Sequence, residues 1–154
     1  MSKYYIAYGS NMDTDQMDYR CPESLLVDTG WINGYELLFK GSLTGFYATI
    51  EKNADCKVPC YIWNITDSDE KRLDRYEGFP TFYYKTTLPV ELSEGGTIEG
   101  MVYIMHEERE LGLPHAEYFN NIREVYTIHD WPDKILWDAL DKSTDYIKSE
   151  AKKH

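Results

Sequence analysis

The feature that most constrains this fold is a strand-rich middle segment, residues 34–105. Five runs in it are rich in β-branched and aromatic residues, and glycine, asparagine or charged residues bound each of them. The runs are GYELLFK (34–40), FYATIEK (46–52), VPCYIWNI (58–65), FYYKTTLPVEL (82–92) and TIEGMVYIM (97–105). Consecutive strands without a regular alternation of helices favour an α+β fold over a doubly wound α/β fold.

The sequence on either side extends this pattern. KYYIAYG (3–9) predicts a further strand that feeds a turn, and a short helix follows it, capped by Asn11 or Asp13 and ended before Pro22. Two more helices are predicted at 114–126 and 131–150, the second with an apolar stripe along one side. Most of the helix therefore comes after the sheet.

One short helix interrupts the strands at residues 66–78. Thr66 and Asp69 have the spacing of a capping box, Leu73 and Tyr76 give an apolar face, and Gly78 is a typical C-terminal cap. The sequence therefore fixes both ends of this helix. Glu77 is its last residue.

Charge and composition exclude some partners. The formal net charge of −11 argues against affinity for nucleic acid or for an anionic membrane, since both would repel this surface. No stretch approaches the roughly 20 apolar residues that span a bilayer, and the first residues lack the apolar region of a secretion signal. We therefore expect a cytoplasmic protein whose 154 residues form a single domain. Oligomeric state is not constrained.

No metal or cofactor motif is present in the sequence. Cys21, Cys56 and Cys60 are predicted to be free thiols, because an odd number of cysteines without a secretion signal does not suggest a disulfide framework. Cys56 and Cys60 lie four residues apart, but no second pair completes a zinc site, so buried small side chains are the better interpretation. We expect no metal and no cofactor.

The first candidate site is the turn Tyr8-Gly9-Ser10-Asn11, where a strand ends and a helix starts. Backbone N–H groups at such a start have no intrahelical partner and can bind an anion or a carbonyl oxygen. An ordinary strand-to-helix turn, with Gly9 chosen for its conformation, is the alternative, and taken alone it is favoured.

Glu77 is the second candidate. At the C-terminus of a helix the macrodipole disfavours a carboxylate, and desolvation by the aromatic residues around it would raise its pKa further. A carboxyl group poised nearer neutrality can both accept and return a proton. A solvated glutamate at a helix end is the alternative. The aromatic neighbours are Tyr76, Phe79, Phe82, Tyr83 and Tyr84.

Together these motifs resemble the gamma-glutamylcyclotransferase (AIG2-like) family over residues 4–125. The resemblance starts with IAYGSNM (6–12) and Arg20-Cys21-Pro22 and continues through ATIEK, VPCYIWNITDSDEKRLDRYEGFPTFYYKT and MVYIM to the helix that contains Pro114, Tyr118 and Ile122. It implies a small mixed β-barrel or strongly curved sheet with flanking helices and a cavity inside or at its mouth. Beyond Tyr126 the chain departs from the family pattern, with TIHDWPDK where glycines are expected.

The resemblance also implies an activity: release of 5-oxoproline from a small gamma-glutamyl substrate. By that resemblance Tyr8, Gly9, Ser10 and Asn11 bind the gamma-glutamyl group, the residues Tyr84 and Tyr118 line the pocket, and Glu77 is the acid/base. A non-catalytic protein that binds a small ligand on the same fold is the alternative, and removal of a gamma-glutamyl group from a biosynthetic intermediate is a third possibility. The leaving group is left open.

Overall fold

The computed structural model describes residues 2–42 and 44–153. Six strands form in these residues: β1 (Ser2–Ala7), β2 (Leu25–Ser42), β3 (Gly45–Thr66), β4 (Tyr83–Leu92), β5 (Thr97–Met105) and β6 (Glu110–Leu111). The same residues form the helices α1 (Thr14–Arg20), α2 (Asp67–Glu77), α3 (Ala116–Ile128) and α4 (Lys134–Lys152), with one turn of 3-10 helix at Ser10–Met12.

Five of the strands in this described part close into a mixed barrel. The order β3-β1-β5-β4-β2 returns to β3, because β2 pairs with β4 on one side and with β3 on the other. Only the contact of β1 with β5 is parallel, and β6 adds to the free part of β2. This is the small α+β barrel with flanking helices that the family resemblance implied.

The long hairpin of β2 and β3 differs from the strand prediction. Residues 25–33 belong to β2, although no strand was predicted there, and residues 53–57 join two predicted strands into one. The polar residues in these two segments are typical of loops. The two arms of the hairpin nevertheless pair along these segments, for example at Ile32 and Val58, and a ladder of backbone hydrogen bonds makes them strand. Register shifts between Leu26 and Asp28 and between Asn33 and Tyr35 bend the hairpin.

The core joins the barrel to its helices. Strands β1 to β5 all contribute fully buried aliphatic side chains, among them Ile6, Ile32, Ile50, Ile62, Val90 and Val102. Helices α3 and α4 form as predicted, and each buries one face; the rings of Phe39 and Phe119 pack edge to face at 5.9 Å. Among the helices of the described residues, none has the length and hydropathy that crossing a bilayer requires.

Candidate active site

Helix α2 brings Glu77 to the site. Its N-terminus has the predicted capping box between Thr66 and Asp69, and its C-terminus is closed by Gly78 in the left-handed conformation, at φ 65° and ψ 37°. The helix is held against the barrel by Asp74, which accepts a hydrogen bond of 2.6 Å from the hydroxyl of Tyr103. Because both ends and one side are fixed, the position of Glu77 is well defined.

The turn after β1 forms the opposite side of the site. Its hydrogen bonds run from the N–H groups of Met12 and Asp13 to the carbonyls of Gly9 and Ser10. The N–H groups of Ser10 and Asn11 therefore take no part in the hydrogen bonding of the turn. Asp13, and not Asn11, caps α1, since its side chain accepts from the N–H groups at positions 15 and 16.

Glu77 and this turn line the same cavity, which has a volume of about 330 Å³. Its floor consists of buried residues from the barrel and the turn: Tyr5, Ile6, Tyr8, Asn11, Ala48, Tyr83 and Tyr103. Its mouth includes the exposed residues Thr44, Arg75, Tyr76 and Gly78. Gly9, Ser10, Tyr47, Glu77, Phe82 and Tyr118 are partly buried and lie on its walls. The two motifs, far apart in sequence, thus meet at one concave site.

The backbone of Ala48 orients two of the tyrosines. The hydroxyl of Tyr118 accepts a hydrogen bond of 2.9 Å from the N–H of Ala48, and the hydroxyl of Tyr83 donates one of 2.8 Å to its carbonyl. A hydroxyl that accepts keeps its proton for another partner, whereas a hydroxyl that donates keeps a lone pair. Tyr118 can therefore donate to a ligand, and Tyr83 can accept from one.

Gly9 permits close packing at this wall. A Cβ at position 9 would lie 3.3 Å from the Cβ of Ala48 and 3.4 Å from the hydroxyl oxygen of Tyr118. Any side chain there would press on the atoms that orient Tyr118. Close approach is therefore one reason for glycine at this position.

Asn11 and Arg20 hold Tyr5, a residue of the cavity floor, in place through a chain of hydrogen bonds. The side-chain amide of Asn11 donates a hydrogen bond of 2.9 Å to the hydroxyl of Tyr5, and its carbonyl oxygen accepts from the guanidinium of Arg20. Arg20 also lies over the ring of Tyr76, 3.6 Å from the ring centre. The Tyr5 hydroxyl, like that of Tyr118, therefore keeps its proton for a ligand.

The pKa of Glu77 suits proton transfer. Burial raises it from the ordinary value of 4.5 to about 8, and the positive charge of Arg20 opposes part of this rise. In the described part of the chain no protein group donates a hydrogen bond to its carboxyl. A rise of the Glu77 pKa by desolvation was predicted from the aromatic residues around it in the sequence.

Three tyrosines of the cavity, Tyr5, Tyr8 and Tyr118, stay protonated at neutral pH. Burial, and after it the carboxylate of Glu77, raises the pKa of Tyr5 and of Tyr8 well above the ordinary value. Burial is also the main cause that raises the pKa of Tyr118, with Glu77 adding to it. The cavity therefore offers neutral hydroxyls and one titratable carboxyl group.

The expectation that Tyr84 lines this cavity is wrong. Neighbouring residues of a strand point to opposite faces, so Tyr83 faces the cavity, while Tyr84 lies on the other face and its hydroxyl donates to the carboxylate of Glu107. Tyr5 and Tyr103, which the sequence did not single out, belong to the floor. Their proximity depends on the β1–β5 pairing, and local patterns do not reveal it. Tyr8, Gly9, Ser10, Asn11, Glu77 and Tyr118 all line the cavity.

The three cysteines do not line the cavity. All three cysteines are free; Cys21 and Cys60 are buried as small side chains, but Cys56 is partly exposed, contrary to the prediction. Burial raises the pKa of Cys21 to about 12, which makes it a poor nucleophile. Within residues 2–42 and 44–153 no group of three metal-ligating side chains comes together.

Comparison with known proteins gives a consistent result. The family model described as "Gamma-glutamyl cyclotransferase, AIG2-like" matches residues 5–121, which contain every residue of the cavity. No curated protein sequence matches the chain.

Solved structures agree with that family model. A protein described as a gamma-glutamyl cyclotransferase is 25% identical with a TM-score of 0.80, covering 88% of this chain and 86% of that one. An uncharacterised protein from Homo sapiens is 26% identical with a TM-score of 0.79, covering 87% and 86%. A glutathione-specific gamma-glutamyl cyclotransferase from yeast is 11% identical with a TM-score of 0.59, covers 82% and 87%, and shares the fold.

Proposed function

Because this chain belongs to the AIG2-like gamma-glutamyl cyclotransferase family, we propose that it is an enzyme that converts a gamma-glutamyl compound into 5-oxoproline and a free amine or amino acid. The observation that supports the proposal most directly is the meeting of Glu77 with the turn of residues 8–11 in one cavity. A carboxyl with a pKa of about 8 is suited to accept and return a proton near neutrality.

The first step is proton removal from the substrate. A gamma-glutamyl compound has its own nucleophile, the α-amine, which is an ammonium group at neutral pH. In our proposal the carboxylate of Glu77 accepts one proton from it, and the amine nitrogen then forms a bond to the gamma-carbonyl carbon. The enzyme needs no nucleophile of its own for this ring closure.

The second requirement is stabilisation of the oxyanion that forms on the gamma-carbonyl oxygen. Two sets of donors could serve: the hydroxyls of Tyr118 and Tyr5, and the N–H groups of Ser10 and Asn11. Such donors act strongly in a water-poor site because their orientation is fixed before the reaction. The set that does not bind the oxyanion is then free to hold the α-carboxylate of the substrate.

The last step is collapse of the tetrahedral intermediate. Glu77, now a carboxylic acid, gives its proton to the leaving nitrogen, and the bond between this nitrogen and the gamma-carbon breaks. The attacking nitrogen still carries two protons, and one of them passes through Glu77 to the released amine. The products are therefore 5-oxoproline and the ammonium form of the amine, and Glu77 is again a carboxylate. One group therefore completes the proton cycle, which typically contributes about 10²–10⁴-fold to the rate.

The test is 5-oxoproline formation from a panel of gamma-glutamyl dipeptides, gamma-glutamyl-lysine and glutathione. We expect product with the wild-type protein and loss of turnover in Glu77→Gln, which keeps the shape of the side chain but accepts no proton. Binding without product by the wild-type protein would instead support the non-catalytic alternative. Full activity in Glu77→Gln would exclude Glu77 as the proton carrier.

A further inference from the structure

Arg20 is the last residue of α1 and does not itself line the cavity. Its guanidinium donates a hydrogen bond to the side-chain carbonyl of Asn11 and lies over the ring of Tyr76, 3.6 Å from the ring centre. Asn11 belongs to the turn after β1, and Tyr76 is the residue before Glu77. Arg20 therefore connects the two motifs of the site from a position outside the cavity lining.

The chain of hydrogen bonds from Arg20 to Tyr5 has one possible direction. A guanidinium donates and has no acceptor, so it must meet the carbonyl oxygen of the Asn11 amide and not its NH2 group. The NH2 group then faces Tyr5 and donates to its hydroxyl at 2.9 Å. The oxygen of Tyr5 therefore accepts, and its proton is left for another partner.

The cavity is the side on which the Tyr5 hydroxyl can find that partner. Tyr5 is only 3% exposed and belongs to the cavity floor. Among the described residues no protein group accepts a hydrogen bond from it. Burial, and after it the charge of Glu77, raises the pKa of Tyr5, so the hydroxyl keeps its proton at neutral pH. A substrate oxygen in the cavity is then the acceptor that remains.

Buried contacts on both sides hold this chain in place. The indole N–H of Trp63 donates a hydrogen bond of 3.1 Å to the backbone carbonyl of Asn11. The thiol of Cys21, the residue after Arg20, donates one of 3.7 Å to the carbonyl of Asp69 in α2. Asn11 is itself 3% exposed, so water has little access to its amide and does not readily replace the guanidinium.

We infer that Arg20 is a positioning residue of the reaction: through Asn11 it directs the hydroxyl proton of Tyr5 to the oxyanion that forms on the gamma-carbonyl oxygen. This inference rests on the proposed function and places Tyr5 among the donors to the oxyanion. Without Arg20 the amide of Asn11 can turn its carbonyl oxygen toward Tyr5 and accept that proton. The hydroxyl would still be present, but its proton would no longer serve the substrate.

A double-mutant cycle tests the inference. Tyr5→Phe removes the hydroxyl, and Arg20→Met removes the charge and the donors but keeps a long side chain against Tyr76. Formation of 5-oxoproline is compared on the high-pH plateau of kcat/KM, where Glu77 is a carboxylate in every variant. We expect Tyr5→Phe to lower kcat/KM by about 10²–10³-fold and Arg20→Met to lower it at least about tenfold. In the Tyr5→Phe background, Arg20→Met should change kcat/KM by less than about threefold, because the hydroxyl that it directs is gone.

Two further variants separate orientation from general structure. Arg20→Lys keeps a cation that only donates, so it should recover most of the activity lost in Arg20→Met. Arg123→Met is the matched control and should keep wild-type kinetics, because Arg123 also lies over an aromatic ring, that of Trp137 at 5.1 Å, but does not line the cavity. Losses that multiply in the Tyr5→Phe/Arg20→Met protein, or equal losses in Arg20→Lys and Arg20→Met, would overturn the inference and leave the proposed function intact.

Asn11→Asp provides a second test, which decides the matter if Arg20→Met does not fold. The carboxylate keeps the shape of the side chain and the contact with Arg20, but it only accepts hydrogen bonds. Tyr5 must then donate to it, so kcat/KM should fall about as far as in Tyr5→Phe, with no further loss when the two changes are combined. A folded Asn11→Asp protein with wild-type kcat/KM would contradict the inference.

Absence of 5-oxoproline with every substrate of the panel would contradict the proposed function instead. Calorimetric binding of added 5-oxoproline, whose ring carbonyl accepts hydrogen bonds, then tests the direction of the Tyr5 proton by itself. We expect weaker binding to Arg20→Met than to the wild-type protein, and equal binding to Tyr5→Phe with and without Arg20→Met. A difference that persists without the hydroxyl would exclude an action of Arg20 through Tyr5.

Discussion

Tyr118 accepts a hydrogen bond of 2.9 Å from the N–H of Ala48, so its hydroxyl proton remains available to the cavity that it shares with Glu77. This relationship separates two roles of one side chain. The oxygen atom satisfies a backbone donor of the barrel, and the proton can stabilise negative charge on a ligand. Removal of the hydroxyl should affect both roles.

We predict that Tyr118→Phe lowers kcat/KM by about 10²–10³-fold if its hydroxyl meets the oxyanion, which is the typical effect of losing one such donor. It should also lower the free energy of unfolding by about 1–3 kcal/mol, since the N–H of Ala48 loses its partner. Steady-state kinetics and urea denaturation measure the two effects. Tyr84→Phe is the control, because Tyr84 lies outside the cavity and should keep wild-type kinetics. A Tyr118→Phe protein with unchanged kcat/KM would exclude Tyr118 as a donor to the oxyanion and leave the hydroxyl of Tyr5 and the backbone N–H groups for that role.

The pH dependence of the reaction should report Glu77. Its pKa of about 8 in the free protein predicts that kcat/KM rises with pH through an apparent pKa near 8, as the carboxylate becomes available. In the substrate complex the neighbouring ammonium group stabilises the carboxylate and lowers its pKa. The rising limb of kcat should therefore lie at lower pH than that of kcat/KM. Initial rates between pH 5 and pH 9 test this order, and limbs in the reverse order would argue against an ammonium group beside Glu77.

The stability of the protein should depend on the same carboxyl. Its pKa is about 8 when folded and 4.5 ordinarily, so between these values the folded state retains a proton that the unfolded state releases. The free energy of unfolding contributed by this group is then fully present below pH 4.5 and is lost as the pH rises to about 8.

Glu77→Gln does not titrate, and its stability relative to the wild-type protein should increase by about 2–4 kcal/mol across this range and stay level above it. Urea denaturation of both proteins at pH 5, 7 and 9 measures the difference. A difference that does not change with pH would mean that the carboxyl of Glu77 has an ordinary pKa.

Local sequence signals predicted α2 well, because Thr66, Asp69 and Gly78 act on the backbone within one helix. Which face of β4 each of its tyrosines occupies could not be predicted in the same way. Tyr83 and Tyr84 are both aromatic, and buried and exposed residues alternate only in the second half of the strand, from Thr87 to Glu91, so the residues around the two tyrosines do not show which of them faces the cavity. The family resemblance assigned Tyr84 to the pocket, whereas its neighbour Tyr83 lines the cavity.

The floor of the cavity depends on contacts that no local pattern contains. Tyr5 and Tyr103 pack edge to face at 5.9 Å because β1 lies parallel to β5 in the closed barrel. Similarly, residues 25–33 became part of a strand through pairing with a distant arm of the hairpin.

The two ends of α2 provide a last prediction, which separates stability from activity. Thr66→Ala removes the N-terminal cap and should lower the free energy of unfolding by about 1 kcal/mol. Gly78→Ala introduces a side chain at φ 65°, which should cost about 1–2 kcal/mol, and its Cβ would lie 3.2 Å from the Cβ of Phe82. The two losses of stability are similar, but only Gly78 adjoins Glu77.

We therefore expect Gly78→Ala to lower kcat/KM at least tenfold, because a displacement of about 1 Å can reduce a rate by up to 10²-fold. Thr66→Ala should keep the wild-type value. Urea denaturation and 5-oxoproline kinetics on both variants give the comparison. If both variants lost activity in proportion to stability, general weakening of α2 would explain the effect, and the cap at Gly78 would have no special part in positioning the carboxyl group.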